Sequence, residues 1–387
     1  MTTINDLPAP SAAQLARSKA LSDLLQQRIK EQGPISFADF MEAALYHPEL
    51  GYYNAPEFNL GKSGDFTTAP EISPLFAGCL ARQCEQILKH LQTGDILELG
   101  AGTGRLACQL LLALEVLDCS PPHYYIYEVS VKLREKQKAF LQTNCPQFFE
   151  RFIWLDELPQ DFTGIIIANE VLDALPVHCF EVTEAGILER YVDVVDDQFY
   201  FKLAPPTSSE LLSRVANLDL PLGYASEMNL NALNYTEQLS NGLSQGVILF
   251  LDYGYGQPEY YHPERRKGTL TCFYQHHHHD HPFYYPGLQD ITAHVDFTNI
   301  IDKAADAGCT LEGFTSQAAF LLGCGLMELA NKAEQGLSAV ELFQMHQAIK
   351  LLTMPTEMGD VIKVMGLGKN IELPLIGFSL QDRRRDL

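Results

Sequence analysis

Short apolar runs that end in polar or glycine residues recur through the middle of this chain, and they constrain its fold more than any other feature. The runs are DILELGAG, YYIYEVS, RFIWLDE, GIIIANEV and, later, GVILFLDYG. Strands that are apolar almost throughout are typical of a mostly parallel sheet covered on both faces. The first three runs begin at Asp95, Tyr124 and Arg151, so spacings of 29 and 27 residues leave room for a helix in each crossover. The sequence therefore predicts an α/β doubly wound fold.

The segments around these runs predict the domain organisation. The fourth and fifth runs are too far apart for one crossover, and CFEVTEAGILERYVDVVDDQFYFKL between them predicts antiparallel strands with a turn at Asp196-Asp197. Helical spacing predicts one helix over 12–30 and another over 228–243. The capping pair Ser36 and Asp39 begins a further predicted helix, and two more helices are predicted after Gly313. DVIKVMGLGK and PLIGFSL have strand character, and 51–74 is predicted to be a loop. We expect a helical N-terminal region with a loop at 1–75, a core at 76–315 with a β-rich insertion at about 178–245, a helical insertion at 316–355, and closing strands at 356–387.

Composition narrows the range of partners. The 387 residues include 27 Lys and Arg against 49 Asp and Glu, a net charge of −22, which disfavours nucleic acid. A basic partner and a merely acidic surface both remain open. The nine cysteines are odd in number and never spaced C-x-x-C, so free thiols are expected. We found no signal sequence, transit segment or membrane-spanning run, and we expect a soluble, cytoplasmic protein.

Polar residues and glycines lie at the end of each predicted strand, where open parallel sheets bind their ligands. These residues are Glu98, Gly100, Gly102, Gly104, Glu128, Asp156, Asn169, Glu170 and Asp252. Dinucleotide sites favour G-x-G-x-x-G, but position 105 is Arg, and the run is instead E-x-G-x-G-x-G. This loop resembles the one that class I methyltransferases wrap around S-adenosylmethionine. An acid after the second strand, Glu128, suits a ribose with two free hydroxyls.

Seven segments together resemble the MidA family. They are GDFTTAPEIS (64–73), ILELGAGTGRLA (96–107), YEVSVKLREKQ (127–137), IIIANEVLDALPVHCF (165–180), LFLDYGYG (249–256), PGLQDITAHVDF (286–297) and IKVMGLGK (362–369). Mitochondrial members of that family are complex I assembly factors that methylate protein arginine. The resemblance implies a class I, Rossmann-like methyltransferase fold with a mostly parallel seven-stranded sheet and S-adenosylmethionine as cofactor.

The resemblance also implies a set of site residues and a substrate class. The expected cofactor-binding residues are Glu98, Gly100, Gly102, Gly104, Glu128 and Asn169, with Gly64, Asp65, Thr67 and Thr68 as a lid. The acceptor would be an arginine of a protein, such as a respiratory-complex subunit or another basic segment. No metal is expected, and the oligomeric state is left undetermined.

Arginine methylation requires help from acids, because a guanidinium is protonated in water and has no free lone pair. Glu170 and Asp173 stand three residues apart just after the fourth predicted strand. If that turn is helical, they share one face and can hold a guanidinium between them. Alternatively, one of them only caps the turn before Pro176. Asp252 and Tyr253 either face the acceptor or simply end a strand.

Two other functions compete with this one. The run TCFYQHHHHDHP places five histidines within 276–281, and in an extended chain His277, His279 and His281 would share a face, as in a metal-dependent hydrolase. A single repetitive run seldom provides an oriented set of metal ligands, so we favour a pH-sensitive rim beside the acceptor. The third reading is a non-catalytic assembly protein on a methyltransferase fold.

Overall fold

The computed structural model describes residues 7–56, 58 and 67–387. The strands in chain order are β1 (Asp95–Leu99), β2 (Tyr124–Tyr127), β3 (Phe152–Leu155), β4 (Phe162–Asn169), β5 (His178–Thr183), β6 (Gly186–Val195), β7 (Gln198–Ala204), β8 (Ala225–Met228), β9 (Leu243–Tyr255), β10 (Thr271–Tyr274), β11 (His277–His279), β12 (Asp290–Thr292), β13 (Val295–Asp296), β14 (Thr310–Ser316) and β15 (Ile362–Lys369). The helices are α1 (Ala12–Gln32), α2 (Phe37–Tyr46), α3 (Ala69–Ile72), α4 (Pro74–Leu91), α5 (Arg105–Val116), α6 (Val131–Asn144), α7 (Ser209–Ala216), α8 (Leu230–Gly242), α9 (Gln257–Tyr260), α10 (Phe297–Asp306), α11 (Gln317–Gly323), α12 (Leu326–Ala333), α13 (Ala339–Thr353) and α14 (Met358–Val361).

The central sheet runs in the order β14-β15-β9-β4-β1-β2-β3. Its five strands from β9 to β3 are parallel, and β15 is antiparallel to both β9 and β14. The five strands predicted from the apolar runs all form. The mostly parallel α/β sheet is therefore confirmed, although the two-residue β13 also pairs with β9, so that the described residues form eight strands in this sheet instead of the predicted seven.

The chain divides into two compact units. The core unit comprises Thr67–Leu172, Tyr235–Gly256 and Asp296–Leu387, and it contains the central sheet. The insertion unit comprises the described residues up to 58 together with Asp173–Asn234 and Gln257–Val295. The sequence interpretation put 257–295 in the core, whereas these residues cluster with the insertion because their strands β10 to β12 form a separate small sheet.

The central strands are buried on both faces. Ile165 and Ile167 of β4 belong to one large apolar cluster with residues of α4 and α5, and Ile166 between them is buried as well. Successive side chains of a strand point to opposite faces. Burial of all three residues therefore explains why this strand reads as a continuous apolar run instead of an alternating one.

The insertion forms a four-stranded antiparallel sheet in the order β7-β6-β5-β8. The predicted turn is the two-residue loop between β6 and β7, where Asp196 and Asp197 both have positive φ, 51° and 59°. A two-residue hairpin loop with both residues left-handed matches the twist of the flanking strands, and Asp tolerates that conformation better than most residues. The predicted antiparallel insertion is confirmed.

Capping residues fix the ends of the N-terminal helices. The Ser11 hydroxyl oxygen accepts a hydrogen bond from Gln14 N, and Ser11 N donates to the Gln14 side-chain oxygen, which closes a capping box. Ser36 accepts from Asp39 N at 3.0 Å, as its spacing predicts. The second helix ends at Tyr46, directly before His47-Pro48, because the residue before a proline disfavours helical geometry.

The structure corrects several details toward the C-terminus. The expected helical pair after Gly313 is three helices, since Gly325 with φ 83° separates α11 from α12. The segment PLIGFSL is not a strand: Ile376–Phe378 form a 3-10 turn. The edge strand β14 takes its place in the central sheet, and the sequence interpretation did not predict it. Within the predicted loop at 51–74, residues 69–72 form the short helix α3.

The backbones of β1 and β4 lie so close at Gly164 that a side chain there would clash. A Cβ on Gly164, which faces Asp95 in the register, would lie 2.0 Å from the Asp95 carbonyl oxygen. Gly308 also has positive φ, 84°, but among the described residues the nearest heavy atom to its Cβ position is Lys369 Cε at 4.0 Å. We expect Gly164→Ala to lower the free energy of unfolding by about 3 kcal/mol or more, against about 1–2 kcal/mol for Gly308→Ala. Denaturant unfolding of both variants measures the difference, and equal losses would contradict it.

Candidate functional site

The glycine loop joins β1 to α5 in a backbone conformation that side chains disfavour. Gly100, Gly102 and Gly104 have φ values of 59°, 52° and 82°, so all three are left-handed. Gly100 N donates to Tyr127 O at 2.9 Å, and a Cβ on Gly100 would lie 3.1 Å from the side chain of Val171. The loop thus exposes its backbone at the carboxyl end of β1, where a ligand can approach closely.

Two buried carboxylates flank this loop. Glu98 on β1 is 3% exposed and accepts a hydrogen bond from the Tyr124 hydroxyl at 2.9 Å. Burial raises the pKa of Glu98 to about 8, although the bond from Tyr124 opposes that shift. Glu128, directly after β2, is 5% exposed and has a pKa raised by burial, which bonds from Ser130 N and Gln137 oppose. The same strand ends that the sequence singled out therefore carry acids in an apolar setting.

The ends of β4 and β9 form a second polar group in the core unit. Asn169 Nδ2 donates to Glu170 Oε1 at 3.2 Å, while the buried Asn169 Oδ1 accepts no hydrogen bond from the described residues. Asp252 is fully buried and accepts from Val171 N at 3.1 Å and Leu172 N at 2.8 Å. Asp252 therefore holds the backbone that follows Glu170.

The turn at 170–173 does not have the helical geometry that would place Glu170 and Asp173 on one face. Glu170 has φ 53°, in the left-handed region, and its N–H donates to Leu251 O at 2.8 Å. Residues 170–175 form bends and a turn. The i,i+3 argument for a shared face is therefore wrong, and the catalytic roles of the two acids stay predictions.

Asp173 lies in an acidic and aromatic cluster of the insertion unit. It is 7% exposed, and its carbonyl oxygen accepts from Ala293 N at 2.9 Å. The Tyr53 hydroxyl donates to Asp290 Oδ1 at 2.8 Å, and the Tyr53 and Tyr46 rings lie 5.3 Å apart. Burial, followed by the charge of Asp290, raises the pKa of Tyr53 well above its usual value, and Asp173 adds to this effect. Two carboxylates thus act on one tyrosine hydroxyl, which stays protonated.

The predicted lid is described only in part. Gly64 and Asp65 lie outside the described residues, whereas Thr67 and Thr68 precede α3 and are half-buried. Glu71 on α3 accepts from the Thr103 hydroxyl at 2.6 Å and pairs with Arg105 Nε at 2.7 Å. The segment that carries Thr67 and Thr68 is therefore attached to the glycine loop itself.

The remaining candidates from the sequence lie elsewhere. Asp156 is exposed and pairs with Arg134 at 2.5 Å. The histidine run forms a hairpin of the insertion unit, turned at Gln275-His276, in which His278 is exposed and His279 is fully buried with a pKa lowered by burial. Burial therefore favours the neutral form of His279, and the pH-sensitive rim stays a prediction. Within residues 7–56, 58 and 67–387, no three His, Cys, Asp or Glu side chains come together as a metal-binding group.

Comparisons with known proteins identify the family. A family model described as S-adenosyl-L-methionine-dependent methyltransferase matches residues 79–315. A crystal structure from Burkholderia thailandensis, bound to S-adenosyl-homocysteine, is 38% identical over 99% of this chain and 100% of its own, with a TM-score of 0.94. This chain belongs to the MidA family of S-adenosylmethionine-dependent methyltransferases.

Curated relatives of this methyltransferase are named protein arginine methyltransferase NDUFAF7, mitochondrial. The human protein is 30% identical, with 87% of this chain and 80% of its own length covered. The Danio rerio protein is 28% identical over 89% of this chain and 85% of its own length. Among the described residues, no helix combines the length and apolar character needed to cross a bilayer.

The core unit fits the cofactor on its own chemistry. S-adenosylmethionine carries an ammonium group, two ribose hydroxyls and a methyl group on a sulfonium, and it needs hydrogen-bond acceptors and close backbone approach. The buried Asn169 Oδ1 accepts no hydrogen bond from the described residues, Glu128 is a carboxylate at the correct strand end, and the three loop glycines carry no side chains.

Sequence reasoning missed four residues that complete these groups. They are Glu71, Gln137, Tyr53 and Asp290, and three of the four lie within segments that carry the family resemblance. Glu71 and Asp290 are acids in otherwise apolar or small-residue stretches, which is a usable signal. Gln137 on α6 and Tyr53 offered none, because their partners are distant in sequence.

The raised pKa of Glu98 yields a stability prediction. Its pKa is about 8 when folded against an ordinary 4.5, so the folded protein holds a proton that the unfolded chain releases between these values. Stability must then fall as pH rises through that window, by up to about 1.4 kcal/mol per pH unit, and become level above it. Glu98→Gln keeps an acceptor for Tyr124 and removes this loss. We expect the variant to gain unfolding free energy over the wild type at pH 9 but not at pH 4.5, and an equal difference at both would contradict the assignment.

Proposed function

We propose that this methyltransferase transfers the methyl group of S-adenosylmethionine to an arginine side chain of a protein. The observation that carries the proposal is the cluster of Asp173, Asp290 and Tyr53 in the insertion unit. Carboxylates are the natural partners of a guanidinium, which presents five N–H donors in a plane. The names of the curated relatives and the net charge of −22 support the same acceptor.

The acids have two tasks in this proposal. Bonds from a guanidinium to carboxylates hold its charge on one side, so that the nitrogen to be methylated is directed away from them. After transfer, that nitrogen carries one proton too many, and a carboxylate can accept it. We assign holding of the guanidinium to Asp173 and Asp290 of the insertion unit. We keep Glu170 as the second catalytic acid that the sequence predicts.

The tyrosines add selectivity for a flat cation. Tyr46 donates its hydroxyl to Ala174 O at 3.0 Å, which holds its ring 5.3 Å from that of Tyr53. An aromatic face attracts a guanidinium, by about 0.5–2 kcal/mol depending on exposure. A lysine ammonium lacks the planar set of donors with which a guanidinium binds carboxylates, so it would gain less here.

Removal of the charge on each acid tests these roles. We expect Glu170→Gln, Asp173→Asn and Asp290→Asn each to lower the rate of methyl transfer by about 100-fold or more, because general base and orientation effects have that size. The affinity for S-adenosyl-homocysteine, measured by calorimetry, should change by less than about threefold in each variant, since none of the three contributes a cofactor contact in this proposal. Methylation is measured as transfer of labelled methyl groups to protein.

Glu210→Gln is the matched control, because Glu210 is a surface acid of the same unit that pairs with Arg214. Its turnover should equal that of the wild type. Unchanged turnover in both Glu170→Gln and Asp173→Asn would exclude them as catalytic acids. A parallel loss of cofactor affinity would instead indicate a structural role.

The acceptor itself is tested in cells. Mass spectrometry of proteins from cells with and without the gene should find arginine residues that carry methyl groups only when the gene is present. Methyl groups on lysine or on small molecules would overturn the arginine assignment while leaving the methyltransferase intact. A protein that binds S-adenosyl-homocysteine and methylates nothing in this comparison would favour the assembly role.

A further inference from the structure

Gln137 on α6 is a completely buried amide whose hydrogen bonds all involve the cofactor end of the core unit. Its Nε2 donates to Glu128 Oε2 at 3.0 Å and to the Gly102 carbonyl oxygen at 3.1 Å. Its Oε1 accepts from Trp154 Nε1 at 2.9 Å, and its exposed fraction is 0%. One side chain thus joins the acid after β2, the glycine loop after β1 and the only tryptophan of the chain, on β3.

Trp154 determines which way the amide faces. An indole N–H can only donate, so the Gln137 atom that it meets must be the carbonyl oxygen. The NH₂ group is then directed to Glu128 and Gly102, both of which can only accept at those atoms. The orientation follows from this bonding pattern, and no other assignment of the amide satisfies the three partners.

A second residue of the same helix fixes the backbone of the acid. Arg134, one turn before Gln137, donates from Nε to the Glu128 carbonyl oxygen at 2.5 Å and from a terminal nitrogen to Leu155 O at 2.6 Å. Arg134 therefore holds the ends of β2 and β3, while Gln137 holds the Glu128 side chain. Because α6 carries both Arg134 and Gln137, the backbone and the side chain of Glu128 are each held by the same helix.

The bonds to Glu128 also favour its ionised form. Burial raises the pKa of this carboxyl, whereas the donors Ser130 N and Gln137 Nε2 lower it. A carboxylate has about four acceptor positions, so acceptor capacity remains for ligand hydroxyls. Gln137 thus both orients the acid and keeps it able to accept.

We propose that Gln137 is a positioning residue for the cofactor ribose, which holds the Glu128 carboxylate at a fixed distance from the glycine loop. The proposal rests on the assignment of Glu128 to the ribose hydroxyls. Gln137 does not touch the cofactor in this account. Its effect is to set where the two hydroxyls must lie relative to the loop backbone.

The test compares Gln137→Met with Gln83→Met. Gln83 is a second fully buried glutamine of the core unit, bonded to Gln86 and to Gly377 N, so its replacement removes a buried amide without touching the glycine loop. We expect S-adenosyl-homocysteine to bind Gln137→Met about 10-fold more weakly, because the Glu128 carboxylate loses the hydrogen bond from Gln137 that holds it in place. Binding to Gln83→Met should change by less than about threefold. Calorimetry measures both, with thermal unfolding as a check that each variant is folded.

A ribose-specific measurement separates positioning from general loosening. Removal of the 2′ hydroxyl from S-adenosyl-homocysteine should weaken binding about 10-fold in the wild type and in Gln83→Met, but by about twofold or less in Gln137→Met, since the misplaced carboxylate no longer distinguishes the two ligands. The affinity of Gln137→Met should also fall at a higher pH than that of the wild type as the solution is acidified, because loss of a donor raises the Glu128 pKa further.

The outcomes test separately the assignment of Glu128 to the ribose and the positioning role of Gln137. If Glu128→Gln binds S-adenosyl-homocysteine as tightly as the wild type, the assignment of Glu128 to the ribose is wrong. If Glu128→Gln weakens binding while Gln137→Met retains full discrimination against the 2′-deoxy ligand, Gln137 is structural and the positioning role is overturned. Should Gln137→Met fail to fold, Trp154→Phe removes the bond that orients the amide, and it should reduce the same discrimination in the same direction.

Discussion

Parallel pairing of β1 between β2 and β4 is the constraint on which the rest of the cofactor site depends. The register sets Leu99 against Tyr127 on one side and Ala168 on the other. The residues that follow these three are Gly100, Glu128 and Asn169, so the loop, the acid and the amide leave the sheet at one level. A shift of one residue in either pairing would reverse which face each side chain points to and separate the three.

Burial of charge is the second physical theme of the core unit, and the structure meets its cost with specific donors. Glu98 has a tyrosine hydroxyl, Glu128 has a backbone N–H and an amide, and Asp252 has three backbone N–H groups. A buried carboxylate without such donors would take up a proton instead of keeping its charge. The difference in donors explains why Glu128 is suited to accept from ligand hydroxyls, while Glu98 is suited to remain protonated near neutral pH.

The residues of the glycine loop and the acids at the strand ends could be chosen from the sequence because strand ends and glycine spacing are local patterns. The hairpin turn at Asp196-Asp197 was equally local, and it formed as predicted. Predictions failed where a long-range partner decides the outcome. PLIGFSL has strand composition but forms a 3-10 turn, and Gly377 within it accommodates the Phe320 ring, which a Cβ would meet at 2.2 Å. The helical reading of the turn after β4 failed because Asp252, some eighty residues later, holds its backbone in another conformation.

The sequence by itself determined the class of fold, the cofactor and the family, since each depends on apolar periodicity and on motifs of a few adjacent residues. It also named Glu170 and Asp173, although for a geometric reason that does not hold. Only the tertiary structure brought Asp290 and Tyr53 to the cluster that contains Asp173, and only it placed Gln137 between Glu128 and the glycine loop. The physical reason is that a hydrogen bond between distant segments leaves no mark in the local pattern of either one, whereas the burial of a strand marks every residue along it.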